Sequence, residues 1–120
     1  MTIGEVLKEI LNAPDDHTVV FAFGGIYPTR VDSYRGDYSE AALGFSSGDY
    51  GNERMTVANF RRELQNSIDG REYHGWKGGL YRYNKSTPLH VDNYGNCSNT
   101  EIERIEVNDY DIIIHTRHEV

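Results

Sequence analysis

A short amphipathic helix at the start of the chain is the feature that most constrains the fold. Residues 2–12, TIGEVLKEILN, open with Thr2 and Glu5 at the spacing of a capping box. The apolar residues recur at the spacing of one helical face: Ile3, Val6, Leu7, Ile10 and Leu11. Proline in the following APDD ends the helix, because it cannot continue the hydrogen-bond ladder. The chain must therefore provide another apolar surface to cover this helical face.

A second helix is predicted over residues 56–70, TVANFRRELQNSIDG. Thr56 is placed to act as its N-cap, and Gly70 stands where a C-terminal glycine is favoured. The apolar stripe of this helix consists of Val57, Phe60, Leu64 and Ile68. Two helices of similar length are thus separated by a long stretch of chain.

The other apolar runs are typical of strands. Residues 18–23, TVVFAF, carry β-branched and aromatic residues on both faces, which predicts a central, buried strand. Residues 38–45 fit a strand or a short helix, and a strand is favoured. The strands predicted in the rest of the chain are EYHGW, GGLYRYN, PLHVDNY, EIERIEV and YDIIIHTRH. The last two, joined by ND, form a good hairpin candidate.

These elements predict an α+β fold, with two helices packed on one face of a mostly antiparallel sheet. At 120 residues and 13.7 kDa, the chain is long enough for one core and too short for two ordinary domains. We therefore expect residues 1–120 to form a single ligand-binding domain.

Composition and charge narrow the classes of function. No apolar run approaches the roughly 20 residues of a membrane span, and no basic segment precedes an apolar one at the N-terminus. A single cysteine, Cys97, agrees with a reducing compartment, so a cytoplasmic location is expected, without membrane association. The net charge of −7 argues against a binder of long nucleic acid, but convergent arginines could still hold a small phosphorylated ligand.

Catalytic signatures are mostly absent from the sequence. It has no Walker loop and no serine nucleophile elbow, and Cys97 lies in a loop of Gly, Asn and Ser with no histidine nearby. His115 and His118 are three residues apart on a predicted strand, so they would point to opposite faces and would not share a metal. We therefore predict no catalytic residue, no metal site and no cofactor.

The first candidate binding segment is YPTRVDSYRG, residues 27–36, taken as the connection between two strands. Guanidinium groups can hold phosphates, phenols can line a pocket, and hydroxyl groups can supply further hydrogen bonds. The candidates here are Thr29, Arg30, Ser33, Tyr34 and Arg35.

The second candidate segment is YHGWKGGLYRYNKSTPLHVDNYGN, residues 73–96. Its candidates are Trp76, Tyr81, Asn93 and Tyr94, since aromatic faces can stack on a base and an amide can read a purine edge. Tyr81 and Tyr83 would share one face of a strand, with Arg82 on the other. The alternative interpretation is an aromatic sheet face packed on the helices, with the basic residues screening acidic neighbours.

At these residues the sequence resembles the anti-Thoeris sponge proteins of phages. The resemblance rests on TIGEVL (2–7), FAFGGIYPTRVDSYRGDYSEAALGF (21–45), TVANFRREL (56–64), GWKGGLY (75–81) and VDNYG (91–95), and its most specific parts are SYRG and WKGG. Proteins of that family bind and sequester, without cleaving, the cyclic ADP-ribose isomers made by bacterial TIR-domain enzymes. Some also hold cyclic oligonucleotides at a separate site, and they work as homo-oligomers. The chain departs from the family pattern after residue 96.

The resemblance implies roles for individual residues. Arg30 and Arg35 would clamp a pyrophosphate, with hydroxyl contacts from Thr29 and Ser33, while Tyr34 or Tyr38 would line the pocket. Tyr81 would stack on the adenine, and Asn93 matches the loop asparagine of the family. A C-terminal arginine of the family corresponds to Arg117, with Arg104 as the alternative. A pocket in so small a domain is expected at or near a homodimer interface.

Two other functions fit the residues. The acidic charge and the nine tyrosines suit a phage inhibitor that binds a host defence protein directly. An enzyme that degrades a cyclic nucleotide signal would require Asp32, Asp92, His90 or His115 to converge on the pocket.

Overall fold

The structure, a computed structural model, describes residues 1–22, 26–33, 41–47, 55–74, 79–91 and 101–117; for residues 26–33, 41–47 and 81, the backbone alone is described. The elements within these ranges are α1 (Ile3–Glu9), β1 (Thr18–Phe21), β2 (Ile26–Ser33), β3 (Ala41–Ser47), α2 (Val57–Ile68), β4 (Tyr73–His74), β5 (Leu80–Tyr81), β6 (Leu89–Val91), β7 (Ile102–Val107) and β8 (Asp111–Thr116).

The predicted capping box of α1 is confirmed. The Thr2 hydroxyl accepts from the Glu5 N–H (3.2 Å), and the Glu5 carboxylate accepts from the Thr2 N–H (2.9 Å). The helix ends at Glu9, earlier than predicted, and Leu11 is 65% exposed, so it does not belong to the buried face. The Arg61 guanidinium explains this end, because its Nη2 donates to the carbonyls of Ile10 (2.9 Å) and Ala13 (3.1 Å). These bonds hold a non-helical turn in place.

Helix α2 begins where the sequence predicts. The Thr56 hydroxyl accepts from the Asn59 N–H (3.2 Å), and Val57, Phe60 and Leu64 are fully buried. The buried Ser67 donates its hydroxyl to the Leu64 carbonyl (2.6 Å), which satisfies a polar group inside the core. The two helices contact each other, and α2 also contacts β1 and β2.

The described strands form two three-stranded sheets, ordered β1-β8-β7 and β2-β3-β6, and one two-stranded ribbon, β4-β5. The β2–β3, β4–β5 and β7–β8 pairs are antiparallel, and the β1–β8 and β3–β6 pairs are parallel. The predicted α+β class is confirmed, with a mixed arrangement in which antiparallel pairs outnumber parallel ones.

Two expectations about the first strands are wrong. Strand β1 was expected to be central, but within the described residues it lies at the edge of its sheet. Its outer side meets the start of α2 instead, where the Val19 N–H donates to the Met55 carbonyl (2.9 Å). Residues 27–36 were expected to be a connection, yet most of that segment is strand β2. The choice of a strand over residues 38–45 is confirmed by β3.

The predicted C-terminal hairpin is confirmed as β7 and β8. Its turn lies one residue later than predicted, at Asp109 and Tyr110, since the Asn108 N–H donates to the Asp111 carbonyl (2.9 Å). Of the strands predicted between residues 73 and 96, the described residues contain β4, β5 and β6, and residues 75–78 and 92–96 lie outside the described ranges.

One hydrophobic cluster joins both helices to the sheet strands. Its fully buried members include Ile3, Val6, Ile10, Phe60, Leu64, Leu89, Ile102, Ile112 and Ile114. The first residues of the chain seal this core: the N–H groups of Ile3 and Gly4 donate to the carbonyls of Thr87 and Lys85, each at 2.9 Å.

We predict that Gly4→Ala destabilises the fold, although alanine is the better helix former. A Cβ at this position would lie 2.9 Å from both the Cβ and the carbonyl oxygen of Lys85, and a backbone oxygen cannot move cheaply. We expect a loss of about 1–3 kcal/mol in the free energy of unfolding, measured by urea denaturation. The control is Glu9→Ala, on an exposed position of the same helix. A neutral or stabilising Gly4→Ala would contradict this packing.

We also predict that Arg61→Ala destabilises the fold by about 1–3 kcal/mol, because it leaves the Ile10 and Ala13 carbonyls without their donor. It also removes the Arg61–Asp15 ion pair (2.6 Å). Arg62→Ala is the matched control, since Arg62 is exposed on the same helix, and we expect a change within about 0.5 kcal/mol. Equal effects of the two substitutions on the denaturation midpoint would refute the capping role.

Candidate functional site

Strand β2 carries three of the predicted ligand residues: Thr29, Arg30 and Ser33. Its pairing with β3 moves from Pro28–Phe45 to Arg30–Gly44, so Thr29 is the extra residue of a β-bulge. A bulge bends its strand and changes the direction of the side chains around it, and bulges are over-represented next to active sites. The irregularity therefore falls within the candidate segment itself.

The second candidate segment flanks this strand. Strand β4 contacts β2 and pairs with β5, which places Tyr81 opposite Tyr73. Farther along the chain, β6 pairs with β3, with Leu89 opposite Ala41. The two candidate segments, far apart in sequence, are thus neighbours at the level of the backbone.

Two tyrosines of the second segment belong to the core. Tyr73 and Tyr83 are buried, with their ring centroids 5.1 Å apart and their planes tilted by 35°. The Arg71 guanidinium lies over the Tyr73 ring, 5.0 Å from its centroid, in a cation–π arrangement. Strand β5 ends at Tyr81, so the strand on which Tyr81 and Tyr83 were expected to share a face does not reach Tyr83.

Two arginines of this region are engaged by acidic neighbours. Arg82 pairs with Glu72 (2.8 Å), and Arg71 pairs with Glu63 (3.3 Å). For Arg82, the one of the two within the second candidate segment, the interpretation as a screening residue is therefore confirmed. Neither was among the predicted ligand residues.

The remaining predicted ligand residues of the two segments lie outside the described residues: Tyr34, Arg35, Trp76, Asn93 and Tyr94, together with Tyr38. For Thr29, Arg30, Ser33 and Tyr81 the structure gives the backbone position.

Arg117, the predicted C-terminal arginine, is exposed at the carboxyl end of β8. Its N–H donates to the Glu101 carbonyl (2.9 Å). Because β1 and β8 are parallel, their carboxyl ends lie at the same edge of the sheet, and the Ala22 N–H donates to the Ile114 carbonyl there (3.0 Å). Arg117 thus lies at the sheet end from which the chain continues toward β2.

Arg104, the alternative to Arg117, lies in a cluster with His115 and Glu106. The Arg104 Nη2 is 3.3 Å from His115 Nδ1, and His115 Nε2 is 3.0 Å from the Glu106 carboxylate. A guanidinium can only donate, so Nδ1 of the neutral ring accepts and its Nε2–H donates to Glu106. No sequence motif marks this cluster, but a hairpin with a two-residue turn at 109–110 places Arg104 opposite His115.

The histidine bond lowers the pKa of the Glu106 carboxyl below its ordinary value, with a smaller contribution from a hydrogen bond to Asn108. A lowered pKa in the folded state means that the ionised carboxylate stabilises the fold. That contribution is present above the ordinary carboxyl pKa and is lost as the pH falls through the lowered value.

Of the residues that an enzyme would require, Asp92 lies outside the described residues and the other three are on three different strands. Asp32 lies on β2, the half-buried His90 on β6, and His115 on β8 beside Glu106. Among the described residues, no group of three or more His, Cys, Asp or Glu side chains is arranged to hold a metal ion.

Within the described ranges, no helix has the length and apolar character needed to cross a membrane. Comparisons with protein-family models, with curated proteins and with solved structures found no match.

We predict that Glu106→Gln flattens the acid limb of the stability curve. In the wild-type protein the melting temperature should fall as the pH decreases below the ordinary carboxyl range, partly because Glu106 must take up a proton. The amide variant cannot lose this contribution, so its melting temperature should fall less steeply over the same range. Glu103→Gln, at an exposed position of the same strand, is the control. If the Glu106→Gln and wild-type curves are parallel, the proposed role of the Glu106–His115 bond is wrong.

Proposed function

We propose that this protein binds a small cyclic nucleotide signal, of the cyclic ADP-ribose class, and sequesters it without cleaving it. The proposal draws on the resemblance to the anti-Thoeris sponge proteins of phages, which implies an anti-defence role in the host bacterial cytoplasm. The protein would act as a homo-oligomer. A second site for cyclic oligonucleotides, as in some sponge proteins, would be a separate property.

One observation carries most weight in support of the proposal. Strand β2, with Thr29 and Arg30 at its bulge, is next to the β4–β5 ribbon that bears Tyr81. A ligand with a pyrophosphate and a base requires arginine and hydroxyl groups near one end and an aromatic face near the other. Because β2 and β4 are in contact, the segment with arginine and hydroxyl residues lies beside the segment with the aromatic residue.

The negative net charge is compatible with an anionic ligand. Arg71 and Arg82 are already paired with Glu63 and Glu72, so the ligand would rely on cations other than these. A few convergent guanidinium groups can hold a pyrophosphate through bidentate bonds, whatever the overall charge of −7.

The affinity that sequestration requires is within reach of such a site. Nanomolar binding corresponds to about −12 kcal/mol. Base stacking contributes roughly 1–3 kcal/mol per aromatic, and a hydrogen bond to a charged group roughly 1.5–3 kcal/mol. Two aromatic contacts and four arginine bonds would supply on the order of 8–18 kcal/mol before ordering costs. The site must therefore be largely preformed.

The test is a capture-and-release experiment. The full chain is incubated with cyclic ADP-ribose isomers and passed through a filter that retains protein, and the retained fraction is then heated. Intact ligand released by heat supports sequestration, and altered ligand would indicate an enzyme. Absence of capture would favour the direct inhibitor of a host defence protein.

We predict that Arg35→Ala weakens capture by about tenfold to a hundredfold, the loss of one hydrogen bond to a charged group, and that Asn93→Ala weakens it by about fivefold to a hundredfold, the loss of two hydrogen bonds to a neutral purine edge. Each substitution should leave the thermal unfolding temperature unchanged. Arg62→Ala is the matched control, because it removes an exposed cation that belongs to neither candidate segment. Variants that still deplete free ligand as the wild type does would exclude those two residues from the site.

A further inference from the structure

Among the strands that the structure describes, none covers a short stretch of the outer edge of β7. Within the described residues, β7 pairs on one side with β8. On its other side, the N-terminal amine donates to the Ile102 carbonyl, and His90 forms an isolated bridge with Glu101. No described strand pairs with the outer edge of residues 103–107. An unpaired edge is a template for another strand.

The backbone groups that this edge presents can be deduced from the hairpin. The Asn108 N–H donates to the Asp111 carbonyl, so residues 108 and 111 form a hydrogen-bonded pair. Such pairs alternate with non-hydrogen-bonded pairs along an antiparallel ladder, so the 106–113 and 104–115 pairs are hydrogen-bonded as well. The backbone groups of Ile105 and Val107, which alternate with these, therefore face away from β8. They point toward the open edge.

The side chains of this stretch are self-complementary. If a second copy of β7 lies antiparallel with Ile105 opposite Ile105, then Arg104 of each chain falls opposite Glu106 of the other. Ile105 would form a hydrogen-bonded pair with Ile105 of the second copy, because its backbone N–H and carbonyl face the open edge. The Arg104–Glu106 pairs would be of the closer, non-hydrogen-bonded kind, with Cα atoms about 4.5 Å apart. Opposite charges are favourable at this spacing.

We propose that β7 is a dimerisation edge, and that it pairs in antiparallel register with β7 of a second copy of this chain, centred on Ile105. The pairing would supply the two backbone hydrogen bonds of the Ile105 pair, further bonds from the edge-facing groups of Val107, and two cross-strand ion pairs. It joins the two β1-β8-β7 sheets into one continuous sheet across a two-fold axis. This inference does not rest on the proposed function.

The exposed apolar residues of the hairpin fit this partner. Val107 is 51% exposed and Tyr110 is 85% exposed, at the end of β7 and in the turn that follows it. In the proposed register the turn of each chain passes close to Glu101 and Ile102 of the other. Stable interfaces bury about 1,200 Å² or more, so five paired residues need such additional contacts. Tyr110 is placed to supply them.

The ends of the open stretch limit the pairing through β7 to two chains. The register between β7 and β8 shifts between Ile102 and Arg104, which places Glu103 in a bulge. Bulges and edge charges discourage extended edge-to-edge pairing. A two-fold pairing centred on Ile105 also uses the open edge of both copies at once, so no edge of β7 remains for a third chain.

The first experiment is sedimentation velocity on the full-length protein across a concentration series. We expect a species of twice the 13.7 kDa chain mass, in equilibrium with the monomer. A protein that remains monomeric up to millimolar concentration would overturn the proposal.

Charge reversal then identifies the interface. In an Arg104→Glu dimer, the new carboxylate at position 104 of each chain would face Glu106 of the other, so both cross-strand pairs would be carboxylate against carboxylate. In a Glu106→Arg dimer, both pairs would be guanidinium against guanidinium. Each variant alone should dimerise at least about tenfold more weakly than the wild type, since two attractive pairs become repulsive. A mixture of the two variants should form a heterodimer, because both cross-strand pairs are again of opposite charge. Wild-type-like dimers of either single variant, or a mixture that does not associate, would refute the register.

A backbone variant guards against local damage, since Glu106 also accepts the His115 bond. In Val107→Pro the missing N–H is one that faces the open edge, so the ladder to β8 is kept. Circular dichroism should show a folded chain, and dimerisation should weaken by at least about tenfold. Lys8→Glu, an exposed charge reversal on α1, is the control and should dimerise as the wild type does. A Val107→Pro protein that is folded and dimerises normally would exclude this edge.

Discussion

The alternating burial along β8 is the constraint on which the rest of the structure depends. Ile112, Ile114 and Thr116 are buried, and the residues between them are only partly so. Fully burying an isoleucine side chain contributes roughly 1.5–3 kcal/mol, and a shift of one residue would turn this face to the other side of the sheet. Since β8 pairs with β7 on one side and with β1 on the other, its register fixes both neighbours.

The parallel pairing of β1 with β8 joins the beginning of the chain to its end. All the elements from β2 to β7 lie between β1 and β8 along the chain. Pairing of neighbouring strands in hairpins therefore cannot by itself build the fold. The N-terminal residues add a second long-range closure, through Ile3 and Gly4 onto the segment that leads into β6. Contacts between residues so far apart in sequence cost loop-closure entropy before they stabilise the fold.

The sequence predicted what local chemistry determines. Thr2 and Thr56 mark the two helix starts because their hydroxyls satisfy N–H groups within a few residues, and the C-terminal hairpin follows from two alternating strands and a tight turn. The end of α1 could not be predicted in the same way. It depends on Arg61, which lies some fifty residues away in sequence and meets the Ile10 carbonyl only after the helices pack.

The errors over β1 and β2 have a related cause. Apolar residues on both faces of β1 indicated two neighbouring strands, but its outer side is covered by the start of α2, where Met55 accepts a backbone hydrogen bond. Strand β2 was mistaken for a connection because its arginine and hydroxyl residues hide the alternation that identifies a strand. A strand that carries ligand residues is selected for those residues as well as for its pattern, so strand prediction is weakest where a site is expected. For the candidate site, the sequence predicted residue types and the structure added the adjacency of β2 and β4.

The proposed dimer edge meets the second candidate segment at one end, through the bridge between His90 on β6 and Glu101 just before β7, while the first candidate segment lies in another sheet. Strand β7 is separated from β1 by β8, while β2 belongs to the other three-stranded sheet and contacts β1 and β4. Pairing through β7 would therefore extend one sheet and leave β2 and the β4–β5 ribbon to their own neighbours. The expectation of a ligand site at a dimer interface stays a prediction beside it, because β6, which belongs to the second candidate segment, borders the start of β7.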